Sequence, residues 1–320
     1  MSEFDLIRRH FAELGAARAD VVLGVGDDAA LVQMPARRHL VLAMDTLLAG
    51  VHFPEDTPAE DIGHKALAVN LSDLAAMGAQ PAWATLALSL PHDDEAWLAA
   101  FCRGFHRLAQ DHGVCLVGGD TTRGPLAITV QISGFVAPGQ ALRRSGARVG
   151  DFIYVSGPVG DAGLGLKLAL GELDLPPEQA GPCLRRLRRP SPRVHEGQAL
   201  TGLASAAIDV SDGLLADLEH ILEASGVGAR LWAEHLPLSD TLRQRLPALG
   251  GWCFPLNAGD DYELCFTAPP AQAEACERLL RQWGWGGARI GVIEAEPGLR
   301  WENASGQVQT VQAGGYDHFG

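Results

Sequence analysis

Aspartates recur along this 320-residue chain where apolar, strand-like runs begin or end. Ligand sites in open α/β sheets form at such strand ends, where loops converge. The runs are VVLGVGDD, LVLAMDT, VCLVGGDTT, AAIDVSDG and NAGDDYELCF, and their acids are Asp27, Asp28, Asp45, Asp120, Asp209, Asp212, Asp260 and Asp261. Any one of them could be an ordinary turn residue or N-cap. The repeated context nevertheless favours a shared site.

A further acid, Asp73, lies in the apolar stretch LAVNLSDLAAMGAQP, residues 67–81. The stretch predicts a helix that stops at Gly78. Asn70 and Asp73 are three residues apart and therefore share a face of that helix. Asp73 either faces solvent or is buried with a partner that offsets its charge.

Acids that converge need a cation. Carboxylates a few ångströms apart repel strongly, so they must be protonated or hold metal. Oxygen ligands without accompanying His or Cys suit Mg²⁺ rather than zinc. Mg²⁺ held by carboxylates and substrate oxygens is the usual arrangement for phosphoryl transfer. The chain has only two lysines, Lys65 and Lys167, so a phosphate substrate would need metal ions and a few arginines.

Familiar nucleotide-binding motifs do not account for this pattern. GVGDDA (24–29) formally matches GxGxxA, but two aspartates stand where a pyrophosphate would lie. GxxxxGK[ST], the protein-kinase motif set, HExxH and the DxDx[TV] phosphohydrolase motif are absent. GPVGDAGLG (157–165) follows a strand and opens a helix. It either cradles a phosphate or lets the helix pack closely on the strand.

Composition excludes several other classes of protein. The formal net charge of −14 disfavours binding to nucleic acid or to an anionic membrane. The N-terminal MSEFDLIRRHFAELG is not a signal peptide, and no apolar run approaches the ~20 residues of a membrane span. The six cysteines form no CxxC pair, and we interpret them as reduced core residues. We expect a cytoplasmic protein.

The elements that position the acids alternate between strands and helices, which predicts an α/β fold. Predicted strands cover 21–24, 39–44, 84–90, 114–119, 126–136, 152–157, 206–210, 229–233 and 262–267, followed by a β-like C-terminal tail. Predicted helices cover 4–14, 61–77, 93–112, 161–171, 212–225 and 270–283. A polar, Gly-rich connection begins near residue 138, where we divide the chain into domains 1–138 and 139–320.

An ordered set of motifs runs across both domains and includes VGDDAAL, MDTLLAGVHF, KALAVNLSDLAAMGAQP, GGDTTRGPL, SGPVGDAGLGL, AAIDVSDGLLADL, GDDYELCFT and GGYDHF. This set resembles the thiamine-monophosphate kinase family, which belongs to the aminoimidazole-ribonucleotide-synthetase-like superfamily. The resemblance implies two α/β domains with the nucleotide between them. It further implies an N-terminal domain that binds ATP and Mg²⁺ and pairs into a homodimer through a shared β-barrel, and a C-terminal domain that completes the active site.

The resemblance also implies roles for individual residues. The implied Mg²⁺ ligands are Asp28, Asp45, Asp73, Asp120, Asp209 and Asp212, with the backbone carbonyl of Met44 where the family usually has Ser or Thr. ATP contacts would be Gly119, Asp120, Arg144 and Ser211, and substrate contacts would be His52, Asp260 and Tyr316. Asp120 and Asp212 would be the most critical. Simpler roles remain open: His52 as a loop histidine, Tyr316 as a core cap, and Arg144 as a partner of Asp151.

The implied reaction is direct in-line transfer from ATP to thiamine monophosphate, giving thiamine diphosphate and completing its biosynthesis. Because a phosphate acceptor is already ionised near neutral pH, no side-chain general base is needed. Three alternatives remain. They are another ATP-dependent synthetase of the superfamily, a metal-dependent phosphohydrolase, and a non-catalytic thiamine-phosphate binder. Ala258, where the family has glycine, leaves the conformation of the substrate loop open.

Overall fold

A computed structural model describes residues 3–303, 305–311 and 314 of the chain. It divides into two compact units, which are described separately. The first comprises residues up to 74 together with 79–139, and the second comprises 75–78 together with the chain from residue 140 onward. Each unit combines helices with a β-sheet, as the alternating sequence pattern predicts.

The first unit is built on a four-stranded sheet. Its helices are α1 (Glu3–His10), α2 (Ala59–Ala76, whose last two residues group with the second unit) and α3 (Glu95–Asp111). Its strands are β1 (Val21–Leu23), β2 (Leu31–Val32), β3 (His39–Leu48), β4 (Gln80–Leu90), β5 (Cys115–Arg123) and β6 (Ala127–Val136). The order β3-β6-β4-β5 leaves β3 and β5 as the edges, and the described residues form no closed barrel.

Helices α2 and α3 pack against each other through two glycines. A Cβ at Gly63 would lie 2.0 Å from the carbonyl oxygen of Phe101, and one at Gly104 would lie 1.9 Å from that of Glu60. Neither position therefore tolerates a side chain. The close approach buries Leu67, Leu71 and other apolar side chains of α2.

The opposite face of the sheet is apolar and uncovered along β3. Leu42 and Met44 are 62% and 65% exposed, and Leu40 and Leu48 on the same face are also exposed. Exposed apolar residues at alternating positions of an edge strand form a surface that a partner can cover.

The second unit is built on a seven-stranded sheet of order β13-β12-β9-β11-β7-β10-β8. Its strands are β7 (Phe152–Val155), β8 (Ala206–Asp209), β9 (Gly228–Trp232), β10 (Leu264–Ala268), β11 (Ala288–Glu294), β12 (Gly298–Glu302) and β13 (Val308–Val311). Its helices are α4 (Asp161–Ala169), α5 (Pro177–Arg188), α6 (Val194–Ala199), α7 (Leu214–Ser225), α8 (Asp240–Arg245), α9 (Cys253–Asn257) and α10 (Ala273–Trp283). One apolar core includes Val155, Leu164, Ile208, Leu218 and Cys265.

Two predicted strand ends are wrong. β3 continues past Asp45 to Leu48, because β6 pairs with it residue by residue as far as Ala127. β5 continues past Asp120 to Arg123 through parallel pairing with β4. Both are edge strands with a solvent-facing side, where polar residues such as Asp and Thr are tolerated and look like a turn in sequence.

All six cysteines are free. Four are buried and Cys115 is half-buried, but Cys253 is exposed, so its assignment to the core is wrong. No helix within the described residues is long and apolar enough to span a membrane.

Candidate active site

Asp45 lies on the face of the first unit's sheet that meets α2. The buried Asn70 side chain accepts a hydrogen bond from the backbone N–H of Asp45 at 3.2 Å and donates to the carbonyl of Ala66 at 3.0 Å. Asp73, half-buried, follows Asn70 by about one turn of the same helix. The predicted shared face of Asn70 and Asp73 therefore meets the strand that carries Asp45.

Asp120 belongs to the other edge of that sheet. The register runs from Asp45 through Val130 and Leu86 to Gly119, so Asp120, the next residue, points to the opposite face. Three strand spacings of about 4.8 Å separate the two strands by about 14 Å. Within one chain, Asp45 and Asp120 therefore do not share a cation.

Gly119 is required by its surroundings. Its φ of 152° is one that side chains rarely adopt, and a Cβ there would lie 1.9 Å from the carbonyl oxygen of Leu86. A small cavity of about 40 Å³ lies beside it, with apolar walls that include Phe11 and Leu116. Asp120 at the rim is exposed, as is Asp28 in the turn between β1 and β2. Both carboxylates are accessible to a ligand.

His52 is held in a defined orientation. Its Nδ1 accepts the backbone N–H of Leu48 at 3.0 Å, while the buried Lys65 donates from Nζ to the His52 carbonyl at 3.1 Å. Because Nδ1 uses its lone pair in this bond, the neutral ring carries its proton on Nε2. His52 therefore has a structural role in its loop and is oriented as an Nε2–H donor.

In the second unit, the loop after β8 gathers predicted site residues. Asp209 is buried at the end of the strand, and Ser211 and Asp212 follow it. The carboxylate of Asp217 accepts the N–H groups of Ser211 at 2.9 Å, Asp212 at 3.1 Å and Gly213 at 3.2 Å. Asp217 was not predicted from the sequence. Its signal is an acid in the first turn of a helix, which commonly binds the free N–H groups there.

The negative charges of the acids around this loop repel one another. Burial raises the pKa of Asp217 to about 7, and the negative charges of Asp209 and Asp212 add to the rise, against the lowering by the backbone N–H groups of Asp212 and Ser211. A bound cation would relieve this repulsion.

Asp260 is tied directly to the same loop. Its N–H donates to the carbonyl of Ser211 at 2.8 Å, and the N–H of Tyr262 donates to that of Val210 at 2.8 Å. Asp260 and Tyr262 both have left-handed backbones, with φ of 68° and 50°. Such non-glycine residues are uncommon and often mark functional sites. The structure thus brings together Asp209, Ser211, Asp212 and Asp260.

Two other predicted residues are Arg144 and Tyr316. Arg144 is exposed in the connection after residue 139, and Asp151, its suggested partner, instead accepts the Arg148 N–H and the Ser205 hydroxyl at 3.0 Å and 2.6 Å. Tyr316 lies outside the described residues.

The donor chemistry fits Mg²⁺. Every predicted metal-binding side chain is a carboxylate, and Mg²⁺ usually takes one or two carboxylates together with waters and substrate phosphates. In the part of the chain that the structure describes, no three His, Cys, Asp or Glu side chains group closely enough to hold a metal by themselves. Bound phosphates and waters would therefore have to complete the coordination.

Known proteins are similar to this chain over nearly its whole length. Residues 26–136 match the family of AIR synthase related proteins, N-terminal domain, and residues 148–302 match the corresponding C-terminal domain. The thiamine-monophosphate kinase of Salmonella typhimurium is 46% identical over 319 residues, which cover 99% of this chain and 98% of that protein.

Two solved structures extend the comparison. The crystal structure of thiamine-monophosphate kinase from Stenotrophomonas maltophilia is 50% identical, with a TM-score of 0.85, over 89% of this chain and 92% of that one. AaThiL complexed with AMPPCP and TMP is 32% identical, with a TM-score of 0.79, over 92% of each chain. The chain therefore belongs to the thiamine-monophosphate kinase family, among the AIR synthase related proteins.

Proposed function

We propose that this protein transfers the γ-phosphoryl group of ATP to thiamine monophosphate, releasing ADP and thiamine diphosphate. The observation that carries the proposal is a relative 32% identical over 92% of the chain whose structure holds AMPPCP and TMP together. AMPPCP is an ATP analogue, and we take TMP there as thiamine monophosphate. Near-complete coverage at 46% identity to a kinase of this name supports the same reaction.

In this reaction the predicted residues would bind the metal, ATP or the phosphate acceptor. Asp28, Asp45, Asp73, Asp120, Asp209 and Asp212, with the carbonyl of Met44, would hold Mg²⁺. Gly119, Asp120, Arg144 and Ser211 would contact ATP, and His52, Asp260 and Tyr316 would contact the acceptor. Mg²⁺ would supply positive charge to the phosphate oxygens of both anionic substrates.

The transfer is in line and needs positioning more than proton chemistry. The attacking phosphate oxygen is already ionised, since the second pKa of a phosphomonoester is about 6. Arg144 offers a planar fork of donors to phosphate oxygens. His52 offers an Nε2–H donor to an acceptor oxygen or ring nitrogen. The carboxylate of Asp260 would favour the cationic thiazolium ring, and Tyr316 would stack on the substrate.

We also propose that two copies of the chain pair through the sheet of the first unit. The apolar stripe on β3, formed by Leu40, Leu42, Met44 and Leu48, is exposed, and β3 and β5 are both open edges of the described sheet. A second copy that pairs these edges into a shared barrel would bury the stripe.

The test is a phosphoryl-transfer assay with ATP, Mg²⁺ and a panel of phosphorylated acceptors that includes thiamine monophosphate. A kinase consumes ATP only with the acceptor and makes a diphosphate. Hydrolysis of the acceptor without ATP would instead indicate a phosphohydrolase, turnover of ATP with another acceptor a related synthetase, and binding without turnover a non-catalytic protein.

Asp73→Asn and Asp120→Asn should lose most turnover, on the order of 100-fold or more, while keeping the thermal stability of the parent. Near-normal transfer by either variant would overturn the assignment of these acids to metal.

A further inference from the structure

The GDDYEL segment alternates between two kinds of residue. Asp261 and Glu263 are 1% and 0% exposed, whereas Asp260 and Tyr262 carry the left-handed backbone. The proposed reaction uses Asp260 but gives no role to the two buried acids. Buried carboxylates are costly unless bound, so their partners show what they do.

Asp261 binds the Gly-rich loop that precedes α4. One carboxylate oxygen accepts the N–H of Gly160 at 2.5 Å, and the other accepts that of Ala162 at 3.4 Å. These amides, at the N-terminus of a nine-residue helix, are those a phosphate would need. The loop therefore binds the protein's own carboxylate.

Gly160 in this loop and Gly165 inside α4 serve close packing, the second alternative left open by the sequence. A Cβ at Gly160 would lie 2.8 Å from Leu242, and one at Gly165 would lie 2.3 Å from the Cys183 carbonyl oxygen. The loop is fixed by these neighbours and gives Asp261 a rigid attachment.

Glu263 fastens the other end of the segment. Arg193 donates to both of its oxygens, at 2.8 Å from Nε and 2.5 Å from Nη2, and Arg186 donates at 2.6 Å. The Ser156 hydroxyl adds a fourth donor at 2.5 Å. Asp261 and Glu263 thus fix the chain on either side of Tyr262, whose hydroxyl donates to Asp260 at 3.3 Å.

We propose that Asp261 is a positioning residue for the phosphate acceptor: by binding the amides of Gly160 and Ala162, it holds Asp260 in the left-handed conformation that meets the substrate. The inference rests on the proposed function and assigns part of its acceptor specificity to a residue that does not touch the acceptor. A positive φ is uncommon for aspartate and persists where the surrounding contacts hold it, so releasing Asp261 should loosen the backbone of Asp260.

The loop that contains Ser211, a predicted ATP contact, is held by hydrogen bonds of its own. Ser211, Asp212 and Gly213 each donate a backbone N–H to the carboxylate of Asp217, and none of these three bonds involves Asp261. Loosening Asp261 should therefore disturb the acceptor more than ATP. This separation can be measured as a difference between two Michaelis constants.

The experiment compares Asp261→Asn with Asp161→Asn in the full-length protein. Asp161 lies at the same helix N-terminus and is bonded to the Ser239 hydroxyl at 2.6 Å, but it makes no bond to the 260–263 segment, so it is a matched control. For Asp261→Asn, we expect the KM for thiamine monophosphate to rise about tenfold and the KM for ATP to change less than about twofold. For Asp161→Asn, both constants should stay within about twofold of the parent.

Each outcome decides a different claim. An unchanged acceptor KM in Asp261→Asn, equal rises in both constants, or the same rise in Asp161→Asn would overturn the positioning role. If Asp261→Asn does not fold, Asp261→Ser removes the same carboxylate from the amides of Gly160 and Ala162 without adding bulk to the buried site. A raised acceptor KM in that variant supports the role, and an unchanged one overturns it. A parent protein that does not phosphorylate thiamine monophosphate at all overturns the proposed function itself.

Discussion

The acids of the two units differ in what surrounds them. In the first unit, Asp28 and Asp120 are exposed and reachable by a ligand. In the second, Asp217 and Asp261 are buried and bind backbone N–H groups, while Glu263 binds two arginines. These acids therefore have two uses. The exposed Asp28 and Asp120 are open to metal and substrate, whereas the buried Asp217, Asp261 and Glu263 hold the loops on which other site residues lie.

The largest effect should come from breaking the buried acid network. Glu263→Ala leaves the guanidinium of Arg193, 2% exposed, without its carboxylate. Removing one partner of a buried ion pair typically costs about 3–5 kcal/mol, because the other charge stays buried and unpaired. Urea unfolding of the variant should show this loss in the free energy of unfolding.

Glu172→Ala is the matched control. Glu172 pairs with Lys167 at 2.9 Å, but both side chains are more than a third exposed. Exposed pairs contribute about 0–1 kcal/mol. Equal losses in the two variants would contradict the distinction between buried and exposed acids.

Asp261 and Glu263 are two residues apart, but they should change the pH dependence of stability in opposite directions. Burial raises the pKa of Asp261 to about 8, against the lowering by Arg186 and the amides. In the unfolded chain the carboxyl group of Asp261 loses its proton near its ordinary pKa of 3.8, whereas in the folded chain it keeps that proton up to about pH 8. The unfolded state then binds fewer protons, so the free energy of unfolding falls as pH rises from about 4 to 8. Asp261→Asn should reduce that decline.

Glu263 should show the opposite sign. Burial alone would raise its pKa, but the hydrogen bonds and charge of Arg193, together with Arg186, outweigh burial and hold the pKa below the ordinary value. The ionised Glu263 contributes fully to the free energy of unfolding at pH values above its ordinary pKa. This contribution is lost as the pH falls through the lowered pKa of the folded state. Glu263→Gln should therefore flatten the acid side of the profile. Chemical unfolding at a series of pH values measures both slopes, and the same change in both variants would contradict the assignment.

The sequence predicted the main strands and the long helices, but it missed α5, α6, α8 and α9 and misplaced several boundaries, among them the start of β4 and the ends of α1, β3 and β5. Apolar runs located the strands, whereas Asp45 and Asp120 looked like turn residues. Their strands continue because of pairing with β6 and β4, and these partners are distant in sequence. An edge strand tolerates polar residues that would end a buried one. Local composition cannot separate these cases.

The candidate site shows the same limit. The resemblance identified Asp209, Ser211, Asp212 and Asp260, which the structure brings together. The partners of Asp261 and Glu263 were not predictable, because Gly160 and Arg193 are 101 and 70 residues away. The choice between phosphate and packing at the Gly-rich loop depended on those contacts.

The smallest effect should come from a buried polar group that lacks the partners these acids have. Tyr154 on β7 is fully buried and stacks on Phe266 with ring centroids 5.1 Å apart. Its hydroxyl has no hydrogen-bond partner among the described residues. Tyr154→Phe keeps the ring and removes an unsatisfied oxygen, so the free energy of unfolding should stay the same or rise by up to about 1 kcal/mol.

Ser156, two residues along, provides the contrast. Its hydroxyl donates to Glu263 at 2.5 Å and accepts the Leu264 N–H at 2.8 Å. Ser156→Ala removes both bonds and should cost about 1–3 kcal/mol, although it deletes the same kind of atom. Thermal and urea unfolding of the two variants side by side measures the difference. If Tyr154→Phe lowers the free energy of unfolding by more than about 1 kcal/mol, the Tyr154 hydroxyl is hydrogen-bonded. The contrast between the bonded Ser156 and the unbonded Tyr154 would then be wrong.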